Sequence, residues 1–174
     1  MSSLIIAAIT GPTGAGKSTI SQELSKRLPK CVNIDVDQVK HFIVSGYRYE
    51  EGDNGLDQWR LLGKNIGMLA ANFHNEDYNV IINGYLPQSS WQEIENYIQL
   101  TNKILLMPSI DIVSRRDEGR DEMARMGSEA VNDHYAFFST DNYANFERID
   151  SSNQTTEETI DEVLGALSVT DVNN

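Results

Sequence analysis

The chain contains little of what marks a secreted or nucleic-acid-binding protein. Its 174 residues include one cysteine, Cys31, so no disulfide can form within the chain. Only 14 lysines and arginines stand against 26 aspartates and glutamates, which gives a net charge of −12. Nucleic acid and anionic lipid both bind to basic surfaces, so we expect neither as a partner.

Long apolar runs and catalytic signatures of several enzyme classes are also missing. The first residues, MSSLIIAAIT, have no basic start and only a short apolar run, so they fit neither a signal peptide nor a membrane span. The three histidines are scattered without metal-ligand spacing, and no G-x-S-x-G motif occurs. With 40% apolar residues, the composition is that of an ordinary globular protein, and we expect it in the cytoplasm.

What the sequence does contain is an alternation of short apolar runs with stretches of helical period. The runs, rich in β-branched residues, predict strands at 4–9, 32–36, 79–83, 103–107 and 146–149. The periodic stretches predict helices at 17–28, 56–73, 91–100, 110–126, 129–139 and from Thr155 or Thr156 to Leu167. Continuously apolar strands are buried on both faces, so the sequence predicts an α/β fold with a mostly parallel sheet. We expect one domain over residues 1–168 and a flexible tail at 169–174.

The most specific motif is TGPTGAGKSTI at residues 10–20. Within it, GPTGAGKS matches G-x-x-x-x-G-K-[ST] at every fixed position and lies between a predicted strand and a predicted helix. The glycines allow a tight loop whose backbone N–H groups face one anion, and the helix adds its positive end. Lys17 can reach the terminal phosphates of a nucleotide, and Ser18 can supply a hydroxyl to Mg²⁺. The motif predicts a phosphate-binding loop.

Two acids follow the second predicted strand. In VNIDVDQVKHF, Asp35 and Asp37 stand two residues apart at the C-terminal end of the strand, the edge where parallel sheets bind ligands. Because side chains alternate along a strand, we expect both carboxylates to face the cleft beside Lys17. One could serve Mg²⁺ and the other an acceptor hydroxyl. Exposed or helix-capping acids are the plainer alternative in a chain this acidic.

With these motifs the chain resembles the small P-loop kinases of the nucleoside-monophosphate-kinase-like group. That group includes adenylate, shikimate and gluconate kinases, chloramphenicol phosphotransferase and zeta-toxin-like kinases. The resemblance spans nearly the whole chain and implies a three-layer fold, a parallel sheet of five strands in the order 2-3-1-4-5, and a helical lid at about 110–140. DQVK at residues 37–40 is similar to the Asp-x-hydrophobic-basic pattern of many such kinases. It implies that Asp37 orients or deprotonates the acceptor hydroxyl and that Asp35 lies close to the metal.

The resemblance also implies that lid arginines close over the phosphates of ATP. In SRRDEGRDEMARMG, Arg116 and Arg120 are four residues apart on one predicted helix and so share a face. A surface helix whose arginines pair with neighbouring acids is the alternative. The expected catalytic residues are Lys17, Asp37, Arg116 and Arg120, and the expected metal ligands are Ser18 and Asp35. The expected nucleotide contacts are Gly11, Thr13, Gly14, Ala15, Gly16, Lys17, Ser18, Thr19, Arg116 and, beside the adenine, Ser151.

The third strand departs from the family pattern. Adenylate-kinase-like relatives carry Asp-Gly-Phe-Pro-Arg where this chain reads NGYLPQ, so Asn83 replaces the acid and Gln88 lies near the place of the arginine. Arginine binds the phosphate of a nucleotide acceptor through paired hydrogen bonds. Its loss favours an uncharged alcohol, bound by segment 40–56 and the helix after it. A phosphate could instead be met by Lys40, Arg48 or Arg60.

The expected function is transfer of the γ-phosphate of Mg-ATP to a hydroxyl of a small molecule, by a monomer or homodimer. A nucleoside or nucleotide kinase is one alternative. A P-loop nucleotide hydrolase or an ATP-binding regulatory protein is another, although the N-K-x-D and D-x-x-G motifs of switch GTPases are missing. The sequence does not name the acceptor.

Overall fold

The computed structural model describes residues 4–48, 55–140 and 143–168. The predicted tail at 169–174 and part of the predicted acceptor segment, residues 49–54, lie outside the described residues. The strands are β1 (Ile6–Thr10), β2 (Cys31–Asp35), β3 (Asn79–Asn83), β4 (Asn102–Leu106) and β5 (Glu147–Ile149). The helices are α1 (Lys17–Arg27), α2 (Val36–Lys40), α3 (Leu56–Asn75), α4 (Gln88–Glu95), α5 (Ile110–Glu118), α6 (Ser128–Phe138) and α7 (Thr156–Ser168).

The five strands form one parallel sheet in the order β2-β3-β1-β4-β5, as predicted. Central strand β1 pairs on one side with β3, where Ile9 lies opposite Asn83. On its other side β1 pairs with β4, with Thr10 opposite Leu105. The phosphate-binding motif therefore leaves the sheet at its centre, between the carboxyl ends of β3 and β4, where parallel sheets bind ligands.

Alternate residues of each strand build the two apolar layers of the core. Ile6 and Ala8 of β1 face the layer beneath α3 and α4, which contains Trp59, Leu62 and Ile66. Ala7 and Ile9 face the opposite layer, which α1 and α7 cover. Both strand faces are thus buried, which is why the strands read as unbroken apolar runs and why helices lie on both sides. No described helix is long and apolar enough to cross a membrane.

Helices α3 and α4 approach each other closely because α3 presents glycine at the contact. A Cβ on Gly63 would lie 2.4 Å from the carbonyl oxygen of Ser90, and one on Gly67 would lie 3.1 Å from the Cα of Ile94. The hydroxyl of Ser90 donates a hydrogen bond of 2.7 Å to the carbonyl of Trp59 in the same buried contact. The α3–α4 contact therefore fixes the position of Trp59 beside the site.

Most predicted bounds are off by one or two residues, and three differences are larger or change the kind of element. Helix α4 begins at Gln88 rather than 91, because Pro87 fixes the backbone that enters it. Helix α5 ends at Glu118 rather than continuing to 126, and Gly119 follows it as the cap residue. The short helix α2 stands where the second strand was expected to continue past Asp35.

Candidate active site

The phosphate-binding loop connects β1 to α1, and its glycines occupy positions that other residues fill poorly. Gly16 precedes α1 with φ of 96°, in the left-handed region. A Cβ on Gly11 would lie 2.1 Å from the carbonyl oxygen of Leu106 on β4. Among the described residues, nothing accepts a hydrogen bond from the backbone N–H groups of Lys17 and Ser18. These donors at the start of a helix are suited to an anion.

Lys17 lies folded against its own loop. Its ammonium group donates hydrogen bonds to the carbonyl oxygens of Gly11, at 2.8 Å, and Pro12, at 3.0 Å. Desolvation by burial lowers the pKa of Lys17 to about 8, with Asp37 opposing that shift, Arg120 adding to it and Asp35 again opposing it. The two carboxylates and Arg120 therefore lie close enough to Lys17 to act on its charge, so the structure brings these four predicted site residues together.

The strand alternation from which we predicted the orientation of the two acids does not apply, because strand β2 ends at Asp35 and helix α2 begins. Asp35 caps α2, and its carboxylate accepts hydrogen bonds from the backbone N–H groups of Asp37, at 2.9 Å, and Gln38, at 3.3 Å. Asp37 lies in the first turn of α2 and is exposed. Within the described residues its carboxylate makes no hydrogen bond or salt bridge. The two acids thus differ in what they are free to bind.

The donors at this edge of the sheet fit Mg²⁺ shared with a nucleotide. Among the described residues no group of three or more His, Cys, Asp or Glu side chains could hold a metal alone. Mg²⁺ in kinase sites takes one or two protein oxygens together with phosphate oxygens and water, so such a group is not required. Ser18, exposed at the start of α1, and Asp35 offer a hydroxyl and a carboxylate. Asn83, where relatives carry an acid, donates instead to Asn33 at 2.8 Å.

The lid arginines do not share a helix. Arg116 lies on α5, and its guanidinium donates hydrogen bonds to the carbonyl oxygens of Gly14, at 3.1 Å, and Ala15, at 3.2 Å. Arg120 follows the end of α5, so the prediction that it shares a helical face with Arg116 is wrong. It lies 3.7 Å from Asp117 and acts on the charge of Lys17. Arg116 therefore contacts the loop directly, whereas Arg120 acts on it through the charge of Lys17.

Asp117 organises the turn between the two lid helices. It is only 3% exposed, although it is charged. Its carboxylate accepts hydrogen bonds from the backbone N–H groups of Met126, at 3.1 Å, and Gly127, at 3.1 Å. In the surface-helix alternative, this acid is one of the neighbours with which the arginines would pair. Its contact with a segment nine and ten residues away carries no periodic signal that could have revealed it.

A cavity of about 270 Å³ lies between α1 and α7, next to the loop. Ser151, predicted to lie beside the adenine, is in its wall and is 4% exposed. The wall combines residues from both ends of the chain: Ala15, Gly16, Thr19, Ile20, Arg116, Ser151, Gln154, Thr156 and Thr159. The cavity adjoins the carbonyl groups that Arg116 holds, so a base could lie there while its phosphates reach the loop.

His134 on α6 also lies against the loop, and sequence reasoning had set all histidines aside. Its Nδ1 is 3.2 Å from the backbone nitrogen of Thr13, which donates to it, and 3.0 Å from the Thr13 hydroxyl. Desolvation by burial, together with the charge of Lys17, lowers the pKa of His134 to about 4. The ring packs edge-on against Tyr85, which follows β3. No local motif marks this residue, because its partner is 121 positions away.

Aromatic side chains surround the predicted acceptor side. The ammonium group of Lys40 lies 4.8 Å from the ring centre of Trp59 and 5.8 Å from that of Tyr47. Trp59 in turn packs edge-on against Tyr85 at 5.5 Å. Arg48, one of the cations that could have met a phosphate, forms a salt bridge of 2.7 Å with Asp57. This side of the site therefore combines the exposed Tyr47 ring and the half-buried Tyr85 with the ammonium group of Lys40, while Trp59 is buried beneath them.

No protein-family model matches the sequence, and no curated protein matches it either. The structure is similar to that of the tunicamycin resistance protein of Deinococcus radiodurans, with a TM-score of 0.72 and 15% identity over 94% of this chain and 95% of that one. It is similar to a sugar kinase from a Janibacter species, with a TM-score of 0.70 and 14% identity over 96% of each chain. A gluconokinase from Sinorhizobium meliloti gives a TM-score of 0.66 and 15% identity over 95% of this chain and 92% of that one. At these identities the likeness shows the fold, and the chain has a P-loop kinase-like fold.

Proposed function

We propose that this protein is a kinase that transfers the γ-phosphate of Mg-ATP to a hydroxyl group of an uncharged small molecule. One observation carries the proposal. Asp37, an acid with no hydrogen bond or salt bridge among the described residues, lies near enough to the phosphate-loop lysine to act on its charge. A free carboxylate beside the lysine that meets the terminal phosphates is what phosphoryl transfer to an alcohol requires.

The nucleotide side of the site has one region suited to the base of ATP and another suited to its phosphates. The cavity that Ser151 lines takes the base, and the free N–H groups at the start of α1 take the phosphates. Lys17 exchanges its bonds with the loop carbonyls for bonds with the β- and γ-phosphates. Ser18 and Asp35 would hold Mg²⁺ together with the phosphates, and the ion would supply positive charge against the oxygens of the transferring group.

The chemical step moves one phosphoryl group and one proton. The acceptor oxygen forms a bond to the γ-phosphorus while the bond from that phosphorus to the β–γ bridging oxygen breaks, which releases ADP. The Asp37 carboxylate orients the acceptor hydroxyl and takes its proton. Lys17 and Arg120, whose charges interact, balance the negative charge that spreads over the transferring group.

The residues around Asp37 favour an uncharged acceptor over a nucleotide. Arg48 is already paired with Asp57, and Gln88 stands near the place where adenylate-kinase-like relatives carry an arginine. Tyr47, which is 43% exposed, and the half-buried Tyr85 offer ring surface, on which the C–H faces of sugars and other polyols pack well. Two of the structural neighbours are a sugar kinase and a gluconokinase, which supports a polyol acceptor.

The test is a screen of ATP consumption against sugars, polyols, nucleosides and nucleoside monophosphates, followed by Asp37→Asn in the presence of the best acceptor. We expect Asp37→Asn to reduce transfer by about 10²–10⁴-fold while Mg-ATP affinity, measured by calorimetry, stays within about threefold. Asp111→Asn, at an exposed acid on α5, is the matched control and should leave both unchanged.

Other outcomes would overturn the proposal. ATP hydrolysis that no acceptor accelerates would identify a hydrolase instead. A preferred nucleoside monophosphate would make the protein a nucleotide kinase. An Asp37→Asn variant that loses Mg-ATP affinity as much as transfer would place Asp37 in the metal site and leave the acceptor without a base.

A further inference from the structure

His134 makes the only hydrogen bonds that the described residues record between the second lid helix and the phosphate-binding loop. Its Nδ1 accepts from the backbone N–H of Thr13 at 3.2 Å and lies 3.0 Å from the Thr13 hydroxyl. A backbone N–H can only donate, so Nδ1 carries no proton and the ring proton is on Nε2. The contact therefore requires a neutral histidine in one tautomer.

The surroundings of His134 favour that neutral form. Tyr85, at 5.4 Å, and Phe138, at 5.1 Å, pack edge-on against the imidazole ring. Lys17 is the charged group that acts on it, and a positive charge opposes protonation of a neighbouring imidazole. The aromatic packing fixes the ring in place, so the hydrogen bonds to Thr13 need no further ordering when they form.

The loop is held by both lid helices, each at a different kind of backbone group. Arg116 of α5 donates to the carbonyl oxygens of Gly14 and Ala15. His134 of α6 accepts from the N–H of Thr13, one residue before them. Together the two contacts involve three consecutive loop residues, Thr13, Gly14 and Ala15. They hold one backbone N–H group and two backbone carbonyl groups of the loop. Asp117 joins the helices by bonding the N–H groups of Met126 and Gly127.

We propose that His134 is a positioning residue that holds the phosphate-binding loop, through Thr13, in its nucleotide-binding shape whenever helix α6 is docked. Departure of α6 leaves the N–H and hydroxyl of Thr13 without their partner, so the loop loses its preformed shape and binds phosphate less tightly. By linkage, a bound nucleotide favours the docked position of α6 to the same extent. The inference rests on the proposed function only in taking the loop as the site of a nucleotide.

The test compares two substitutions by calorimetry with Mg-ADP. His134→Asn keeps a hydrogen-bond acceptor, because its Oδ1 lies as many bonds from the backbone as the imidazole Nδ1. His134→Leu fills similar space but cannot accept. We expect His134→Leu to weaken Mg-ADP binding by about tenfold or more and His134→Asn by less than about threefold. Phe137→Leu, which trims a ring of the same helix that packs on Tyr85 and Phe138 and makes no described ring contact with His134, is the control for lost packing and should change affinity by less than about threefold.

A second measurement needs no substitution. In wild-type protein with ¹⁵N-labelled histidine, the Nδ1 resonance of His134 should show an unprotonated nitrogen from pH 8 down to pH 5. A protonated Nδ1 in that range would overturn the inference. So would equal losses of Mg-ADP affinity in His134→Leu and Phe137→Leu, or in His134→Leu and His134→Asn. A wild-type protein that binds Mg-ADP but phosphorylates no alcohol would refute the proposed function and leave this inference standing.

Discussion

Asp35 and Asp37 are two residues apart and chemically identical, yet the backbone around them assigns them different tasks. Asp35 accepts hydrogen bonds from two N–H groups at the start of α2, which holds its carboxylate in one orientation. Asp37 has no such bond, so its carboxylate can turn toward an incoming hydroxyl. An oriented carboxylate is suited to a metal ion, and a free carboxylate to a proton in transfer. This is the physical reason for giving the metal to the first and the acceptor to the second.

At the same scale, His134 predicts how stability depends on pH. Its pKa is about 4 in the folded protein, because of burial and the charge of Lys17, against an ordinary value of about 6.5. The unfolded chain therefore binds a proton before the folded chain does, and stability is lost as pH falls from 6.5 toward 4. We expect urea midpoints measured from pH 7 to pH 5, above the isoelectric point of about 4.5, to fall more steeply in wild-type protein than in His134→Asn.

Comparing the pH dependence of the urea midpoint in the two proteins cancels the contribution of the other titrating groups. Carboxylates titrate in both proteins and contribute equally, so only the difference belongs to His134. Identical slopes in the two proteins would mean that the histidine is solvated in the folded state, contrary to its contacts with Thr13 and Tyr85.

At the scale of elements, the lid is two short helices joined by a turn, and its arginines belong to different parts. Arg116 donates hydrogen bonds to loop carbonyl groups, whereas Arg120 bonds no loop atom that the structure describes. We expect Arg116→Ala to raise the KM for ATP as well as to lower kcat, since it loosens the site that binds the ground state. Arg120→Ala should lower kcat with little change in KM, because it contributes charge during transfer.

Steady-state kinetics of both variants with the same acceptor would measure this division, with Arg125→Ala as a third variant of the same residue type. The side chain of Arg125 donates to the carbonyl oxygen of Arg120, away from the loop, so its loss should change neither constant by more than about threefold. Equal effects of all three substitutions would favour a general loss of positive charge over separate roles.

The elements of the sheet could be predicted from sequence because unbroken apolar runs such as NVIIN at 79–83 have one stable place, buried on both faces. The end of helix α5 within the lid could not be predicted, because the four-residue spacing of Arg116 and Arg120 also fits one continuous helix. Gly119 was the available signal for the end of α5, since glycine often follows a helix. Helix α2 has only five residues, too few for any periodicity to show.

At the scale of the whole molecule, the candidate site joins segments that are distant in sequence. The motif at 11–18 could be recognised from local sequence, and the acids after β2 could be suspected from their position. The contacts of His134 with Thr13 and of Arg27 with Asp161 connect residues more than 100 positions apart. Such pairs follow from how helices pack on a sheet, and a single sequence carries no record of them.

A nucleotide that touches both ends of the chain should stabilise the whole domain. At a concentration about 100 times its dissociation constant, Mg-ADP should add about 2.7 kcal/mol to the free energy of unfolding. For a chain of this length that raises the Tm by about 5–10 °C, measurable by differential scanning calorimetry. At the same Mg-ADP concentration, the Tm of Lys17→Ala, which lacks the cation nearest the terminal phosphates, should rise by less. A rise that is the same in Lys17→Ala would place the bound nucleotide outside the loop.

The cavity beside the loop also has a consequence for how the protein is made. One part of its wall, Ala15 to Ile20, leaves the ribosome early, and the other, Ser151 to Thr159, leaves it about 130 residues later. The phosphate-binding loop is therefore synthesised long before the second part of the cavity wall, without which the proposed site for the base is incomplete. ATP cannot guide the early steps of folding by occupying its complete site. Under the proposed function we therefore expect nucleotide to stabilise the completed domain, in which α7 lies beside α1, more than its unfinished precursors.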